Sequence, residues 1–295
     1  MTAPDRHDTF SSQRLTLSYC EWGQPDAPPL VLVHGGRDQK RSWDRVAGEL
    51  SQSYRVIAPD LRGHGQSDWV SDGDYTIMDF VYDLRSLITH LEIEKFTLIG
   101  HSLGGNIALR YAGLLPETIE QLVALEGLGP SPRMLAERQA MPIPQRLHEW
   151  LEQRQKMSAR TSRIMADVAT AQARMQAAFE HLPEDLIHHL TVTGVKQNQD
   201  GTVSWAYDPA GMGRSPADLT HDQVVHLWGR ITCPTWLVYG ADSWASNPAE
   251  DGRATAFQNA TVSLIDQAGH WLHHDQYDVF MRQLQDFLGR PSSDT

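Results

Sequence analysis

Gly100-His101-Ser102-Leu103-Gly104-Gly105 sets a nucleophilic hydroxyl among small residues, after the apolar run Phe96–Ile99 and before the helix-period segment Leu103–Leu115. Glycines there permit the strained strand-to-helix turn that lifts a serine Oγ above a sheet, and a helix N-terminus favours developing negative charge. A serine used this way needs a base, and in this strand–turn–helix context the base comes late in the chain, after the acid. Of the 14 histidines, His270 has that position. It lies in Ala268-Gly269-His270-Trp271, between the last apolar run and the terminal helical pattern. His273 and His274 fall at the start of that helix and read as surface or supporting groups. His64, inside Asp60-Leu-Arg-Gly-His-Gly-Gln-Ser-Asp68, reads as structural in a loop near the site. Acyl transfer also needs two donors for its oxyanion, and Val33-His34-Gly35-Gly36 ends an apolar run with a loop that glycine lets turn inward. The N–H groups of Gly36 and Leu103 are the expected pair.

These groups require a sheet to carry them. Leu30–Val33, Arg55–Ala58, Phe96–Ile99, Leu122–Leu125 and Thr235–Tyr239 are short apolar runs bounded by turn residues, with a further strand over Val262–Ile265. Helical patterns at Trp43–Leu50, Ile77–Leu91, Leu103–Leu115 and Gln276–Leu288 alternate with them. Continuous apolar strands separated by helices predict an α/β fold with a mostly parallel, doubly wound sheet. Arg14–Trp22 reads as an early strand or hairpin arm. The rhythm breaks between residues 128 and 229, which are rich in Met, Gln, Arg and Ala and lack a strong buried strand. Because a structureless loop of that length is improbable in a compact domain, 128–229 is expected to be an inserted helical cap on a core formed by 1–127 and 230–295. Asp200-Gly201 followed by Thr202–Tyr207 reads as a turn and short extended piece.

Composition narrows the partners. Lys and Arg total 25 against 37 Asp and Glu, a net charge of −12, with no basic stripe for a phosphate backbone. Nucleic acid and membrane are not expected partners, no run of about 18 to 20 apolar residues is present, and the polar start reads as cytoplasmic. A homodimer stays open beside a monomer. Two cysteines, Cys20 and Cys233, are too few for a disulfide framework and read as reduced core thiols. No metal-ligand spacing or phosphate-binding glycine motif appears, so neither a metal nor a cofactor is expected.

Taken together, His34-Gly35-Gly36, Asp60–Ser67, Gly100–Gly105 and Ala268–Trp271 resemble the motifs of the α/β-hydrolase superfamily, and the likeness spans nearly the whole chain. The resemblance implies a helical cap over the site where 128–229 stand. For the acid of the triad it offers two positions. Glu126 follows Leu122–Leu125 directly, whereas Asp242 follows Tyr239-Gly240-Ala241. The family more commonly ends its seventh strand in Gly-x-x-Asp, and here the acid comes one residue early. Some small esterases of the family place the acid straight after the sixth strand in an acid–turn–Pro segment, and Glu126-Gly127-Leu128-Gly129-Pro130 is similar. A strand-end glutamate aimed into a capped pocket is costly to desolvate unless it accepts a hydrogen bond from a group such as His270, while Asp242 in a polar loop can stay solvated. Glu126 is favoured, with Asp242 the alternative.

The expected function is a serine hydrolase acting on a small-molecule carboxylic ester, or a related thioester or lactone, through an acyl-enzyme. The alternatives are carbon–carbon bond hydrolysis of ring-cleavage diketones and a ligand receptor on a hydrolase scaffold. Dehalogenases and epoxide hydrolases of this fold attack with aspartate, and position 102 is serine. Trp150, Met157, Met165, Met175, Phe179, Trp205, Tyr207 and Trp228 offer large apolar side chains in the cap, for which ordinary packing is the first reading. Arg37 and Trp43 follow the oxyanion loop and are placed to edge the pocket.

Overall fold

The computed structural model describes residues 1–71, 75–211 and 218–289. Eight strands form one sheet: β1 (Arg6–Ser12), β2 (Leu15–Trp22), β3 (Pro29–Val33), β4 (Arg55–Pro59), β5 (Phe96–His101), β6 (Ile119–Leu125), β10 (Thr235–Gly240) and β11 (Ala260–Ile265), in the spatial order β1-β2-β4-β3-β5-β6-β10-β11. From β4 to β11 all pairings are parallel, while β1 and β2 form an antiparallel hairpin whose second arm runs antiparallel to β4. The hairpin arm expected at 14–22 is β2, and its partner β1 lacked a clear apolar period because most of it is exposed.

Helices cover both faces. Leu30 and Leu32 of β3 point into a core layer that includes residues of α1 (Asp44–Leu50) and α10 (Tyr277–Leu288). Val31 and Val33 point into the opposite layer with α2 (Ile77–His90) and α3 (Leu103–Leu114). Burial on both faces is the reason these strands read as unbroken apolar runs. A capping box begins α2, with Thr76 Oγ1 accepting the Asp79 N–H at 3.2 Å and the Asp79 carboxylate accepting the Thr76 N–H.

Between β6 and β10 the chain forms α4 (Pro132–Ala140), α5 (Ile143–Ser158), β7 (Ile164–Met165), α6 (Val168–Ala178), α7 (Glu184–Gly194), β8 (Val195–Gln197), β9 (Val203–Trp205) and α8 (His221–Trp228). Residues 212–217 of the stretch expected to be a cap lie outside the described residues. Three strands form a small antiparallel sheet in the order β7-β9-β8, where one short extended piece was expected. Strands of two or three residues are too short to carry a period of their own. The helix α8 belongs to the main core: Val224 and Trp228 pack there, and a Cβ at Gly113 of α3 would lie 2.5 Å from the Leu227 carbonyl oxygen. Helix α7 docks on the core through Gln39 Nε2 donating to Thr193 Oγ1 at 2.9 Å and His189 Nε2 donating to the Arg41 carbonyl at 3.0 Å. The last described helix, α10, follows the single turn α9 (Leu272–Asp275).

Candidate active site

Ser102 stands between β5 and α3 with φ 53° and ψ −112°, a left-handed conformation that costs energy in any residue but glycine. Close packing forces it. A Cβ on Gly104 would sit 2.2 Å from the Val33 carbonyl oxygen, and one on Gly100 would sit 2.3 Å from the Gly104 carbonyl oxygen. The first turn of α3 therefore lies flat against the end of β3, and only glycine fits. The Ser102 N–H donates to the Leu125 carbonyl at 2.8 Å, tying the turn to the end of β6.

His270 reaches Ser102 from the loop after β11, its Nε2 2.9 Å from the serine Oγ. Its Nδ1 is hydrogen-bonded to Oε2 of Glu126. Glu126 is buried and also left-handed, at φ 51°. Two further donors fix its carboxylate: the Gly240 N–H reaches Oε1 at 3.0 Å and the Ser243 hydroxyl reaches Oε2 at 2.7 Å. Asp242, the alternative acid, is exposed, and its own contact is a backbone one, from its N–H to the Ala268 carbonyl at 2.9 Å. The end of β10 thus turns its amide and the Ser243 hydroxyl toward Glu126 and leaves the Asp242 carboxylate in water, so the structure pairs His270 with Glu126 and not with Asp242.

The loop after β3 is held by two histidines. His34 donates from Nδ1 to the Gly35 carbonyl at 2.7 Å and accepts the Leu61 N–H on Nε2 at 3.0 Å. Burial, with His64 beside it, pushes its pKa down to about 3, so it is neutral and both ring nitrogens have fixed roles. His64 donates from Nδ1 to the Arg62 carbonyl at 2.9 Å and accepts the Arg37 N–H on Nε2 at 3.1 Å, and burial lowers its pKa too. The half-buried Gly36 sits between these anchors, and a Cβ on Gly35 would lie 3.3 Å from Ser102 Cβ. Leu103 opens α3, where the first N–H groups have no partner within the helix. Beneath the loop, a fully buried ion pair joins Lys40 Nζ to Asp60 Oδ2 at 2.5 Å, and Asp60 also accepts the N–H groups of Lys40 and Gln66, each at 2.8 Å.

His101 is a site residue that sequence reading did not single out, although it adjoins Ser102. Its Nε2 donates to the His270 carbonyl at 2.8 Å, and burial next to His270 holds its pKa well below the usual histidine value. It thereby fixes the backbone of the residue whose side chain meets the serine. Of the two readings for His273 and His274, surface or supporting groups, the surface one fails, because both are buried. His273 stacks on Trp43 with ring centroids 4.6 Å apart, and burial pushes His274 down to about 3. The cause is α9, whose Leu272 is fully buried and draws the turn into the core. Trp43 is likewise buried, so it does not edge a pocket. Arg37 is exposed and lines a cleft of about 410 Å³ with Glu149, Glu152, Lys156 and Arg160 of and beyond α5, a cleft to which Ser102 and His270 do not contribute. Among the expected cap side chains, Trp228 packs in the core on Phe257, whereas Phe179 stacks on Trp271, next in sequence to His270, at 4.5 Å.

Burial raises the Cys20 thiol to about 12 and that of Cys233 to about 11, so both stay protonated near neutral pH and are poor nucleophiles. Among the described residues no group of three or more His, Cys, Asp or Glu is arranged to hold a metal ion, and no helix is long and apolar enough to cross a membrane. A serine, an imidazole and a carboxylate linked in sequence can pass a proton from the hydroxyl to the ring while the carboxylate holds the ring's orientation.

Comparison with known proteins agrees with this architecture. A 3-hydroxybutyrate-oligomer hydrolase of Cupriavidus necator is 39% identical over 116 residues, covering 39% of each chain. An uncharacterized protein of Mycobacterium bovis is 39% identical over 102 residues, 35% of this chain and 30% of that one, so the match spans about a third of that relative's length. A serine hydrolase-like protein of Danio rerio is 24% identical over 92% of this chain and 85% of its own. Among solved structures, the thioesterase domain from the curacin biosynthetic pathway superposes with a TM-score of 0.81 at 27% identity, over 95% of this chain and 99% of that one. An esterase from Mycobacterium tuberculosis shares the fold at a TM-score of 0.75 and 20% identity, over 98% and 92% of the two chains. Residues 28–277 match the family described by the alpha/beta hydrolase fold, and the chain belongs to that family.

Proposed function

We propose that the protein is a serine hydrolase that cleaves a carboxylic ester, or a related thioester or lactone, through an acyl-enzyme. The observation that carries this reading is the line from Ser102 Oγ, 2.9 Å from His270 Nε2, through His270 Nδ1 to the buried Glu126 carboxylate. Ser102 attacks the carbonyl as His270 takes its proton. The N–H groups of Gly36 and Leu103 receive the oxyanion, and His270 then passes the proton to the departing oxygen or sulfur. Water activated by the same imidazole attacks the acyl-enzyme, releasing the acid and restoring the serine proton. Glu126 keeps Nδ1 protonated throughout, so Nε2 is free to accept the serine proton and, after releasing it, a proton from the attacking water. The inserted segment ahead of α8 acts as the cap that shapes the substrate pocket. Likeness to a thioesterase domain at 27% identity supports a thioester as the second substrate type. Diketone hydrolases of the family resemble the seventh-strand acid pattern, and the exposed Asp242 does not fit that role.

The test is hydrolysis of a chain-length series of p-nitrophenyl esters by the wild type beside Ser102→Ala. Repeated turnover by the wild type and loss of turnover in the variant, with the fold intact by circular dichroism, is expected. Equal activity in both would overturn the mechanism, and wild-type binding without turnover would favour a receptor.

A further inference from the structure

The imidazole of His270 lies between two rings. On the buried side is His101, with centroids 4.9 Å apart, and on the solvent side is Trp244, with centroids 5.0 Å apart and planes tilted by 39°. Trp244 is 73% exposed, the most exposed of the large apolar side chains among the described residues. Its mounting is rigid. Ser243, one residue before, donates to Glu126 Oε2 at 2.7 Å, and the Ala245 N–H, one residue after, donates to Ser243 Oγ at 3.2 Å. The Trp244 indole offers a large flat apolar face beside the His270 ring.

The position beside His270 assigns a side of the reaction. This imidazole hands its proton to the leaving group, so a ring at its solvent face borders the alcohol or thiol half of the substrate and not the acyl half. We propose that Trp244 forms the leaving-group subsite and that the preferred substrate carries a flat aromatic alcohol or thiol portion, which lies on the indole. The exposed Asp242 carboxylate close by in sequence and the net charge of −12 disfavour an anionic leaving group, so that portion is neutral. The assignment rests on the ester-hydrolysis reading.

The test uses the acetates of ethanol, cyclohexylmethanol, benzyl alcohol and 2-naphthylmethanol, which share one acetyl-enzyme, with kcat/KM measured for wild type, Trp244→Ala and Trp244→Phe. In the wild type kcat/KM is expected to rise along the series and to favour the aromatic members over cyclohexylmethyl. Trp244→Ala should lose about tenfold on the naphthylmethyl ester and progressively less toward ethyl, the scale of one aromatic stacking contact, while Trp244→Phe should retain most of the preference. A uniform loss on all four esters would show that Trp244 only positions His270, and overturn the subsite. An unchanged preference in Trp244→Ala would overturn it as well, with the hydrolase reading intact. No turnover by the wild type of these acetates or of the p-nitrophenyl series would overturn both, whereas turnover of the p-nitrophenyl series without aromatic preference among the acetates would overturn the subsite alone.

Discussion

Ser102 and Glu126 leave adjacent parallel strands with nearly equal positive φ, 53° and 51°. Their predecessors, His101 and Leu125, are register partners across β5 and β6, and the Ser102 N–H donates to the Leu125 carbonyl. Ser102 and Glu126 therefore sit side by side at the carboxyl edge of the sheet, and His270 joins them from the loop after β11. Gly240 supplies an amide that steadies the Glu126 carboxylate, which makes β10 a support for Glu126.

The first prediction separates the two carboxylates. Glu126→Gln should lower kcat by about 10³- to 10⁴-fold, because the amide favours the wrong tautomer of His270, as removal of the orienting carboxylate does in serine proteases. Asp242→Asn should change kcat by less than about threefold, since its exposed carboxylate meets neither His270 nor Ser102. Steady-state kinetics on one activated ester decides between them, and the reverse ranking would reassign the acid.

A second prediction concerns His101. With its Nε2–H removed in His101→Ala, the His270 carbonyl loses its partner and the ring loses its support. A fall in kcat of about tenfold or more with little change in KM is expected, because the group orients the base without touching substrate. His101→Gln, which can still donate, should recover part of the loss. A KM effect alone would contradict the positioning role.

pH should act on stability through the buried histidines. Burial depresses His34 and His274 to about 3, lowers His64, and holds His101 and His273 well below the usual value, so all stay neutral in the fold. The unfolded chain protonates them near 6.5 and thus binds more protons below that pH. Their contribution is complete above about 6.5 and is lost as pH falls toward about 3, by up to about 1.4 kcal/mol per group per pH unit. Asp38, which burial raises to about 7, acts in the opposite direction between its folded value and the ordinary carboxylate range and offsets one histidine. Thermal unfolding followed from pH 7.5 to 5 should show Tm falling steeply below 6.5, and a flat profile would refute the neutral cluster.

Removing one member of the Lys40–Asp60 pair should be severe. Lys40→Met leaves Asp60 buried without its cation, a loss of about 3–5 kcal/mol, and frees the 60–67 loop that holds His34 and His64. Urea unfolding measures the loss. Changing both residues together to apolar ones of similar volume should cost less than the single change, which a double-mutant cycle would show.

Short apolar runs bounded by turn residues announced β3, β4, β5, β6 and β10, because strands covered on both faces must be apolar throughout. The same logic marked Ser102, whose left-handed turn needs glycines around it, and His270, whose place after the last strand follows from the chain order of such a site. Local composition left other features unmarked. The hairpin arm β1 is largely exposed, the three strands of the inserted segment are too short to show a period, and nothing local distinguishes α8 as a core helix. His273 and His274 could be read as surface or as supporting groups because a four-residue turn gives no sign of which way it is drawn.

Between Glu126 and Asp242 the sequence offered two carboxylates at the ends of neighbouring strands and only a solvation argument to rank them. Tertiary structure separates the two, since which carboxylate meets His270 depends on where Glu126, the 240–243 turn and His270 converge in space, and these come from three separate segments of the chain. The same holds for Trp244, whose place beside His270 exists only once β10 and β11 lie together in the sheet.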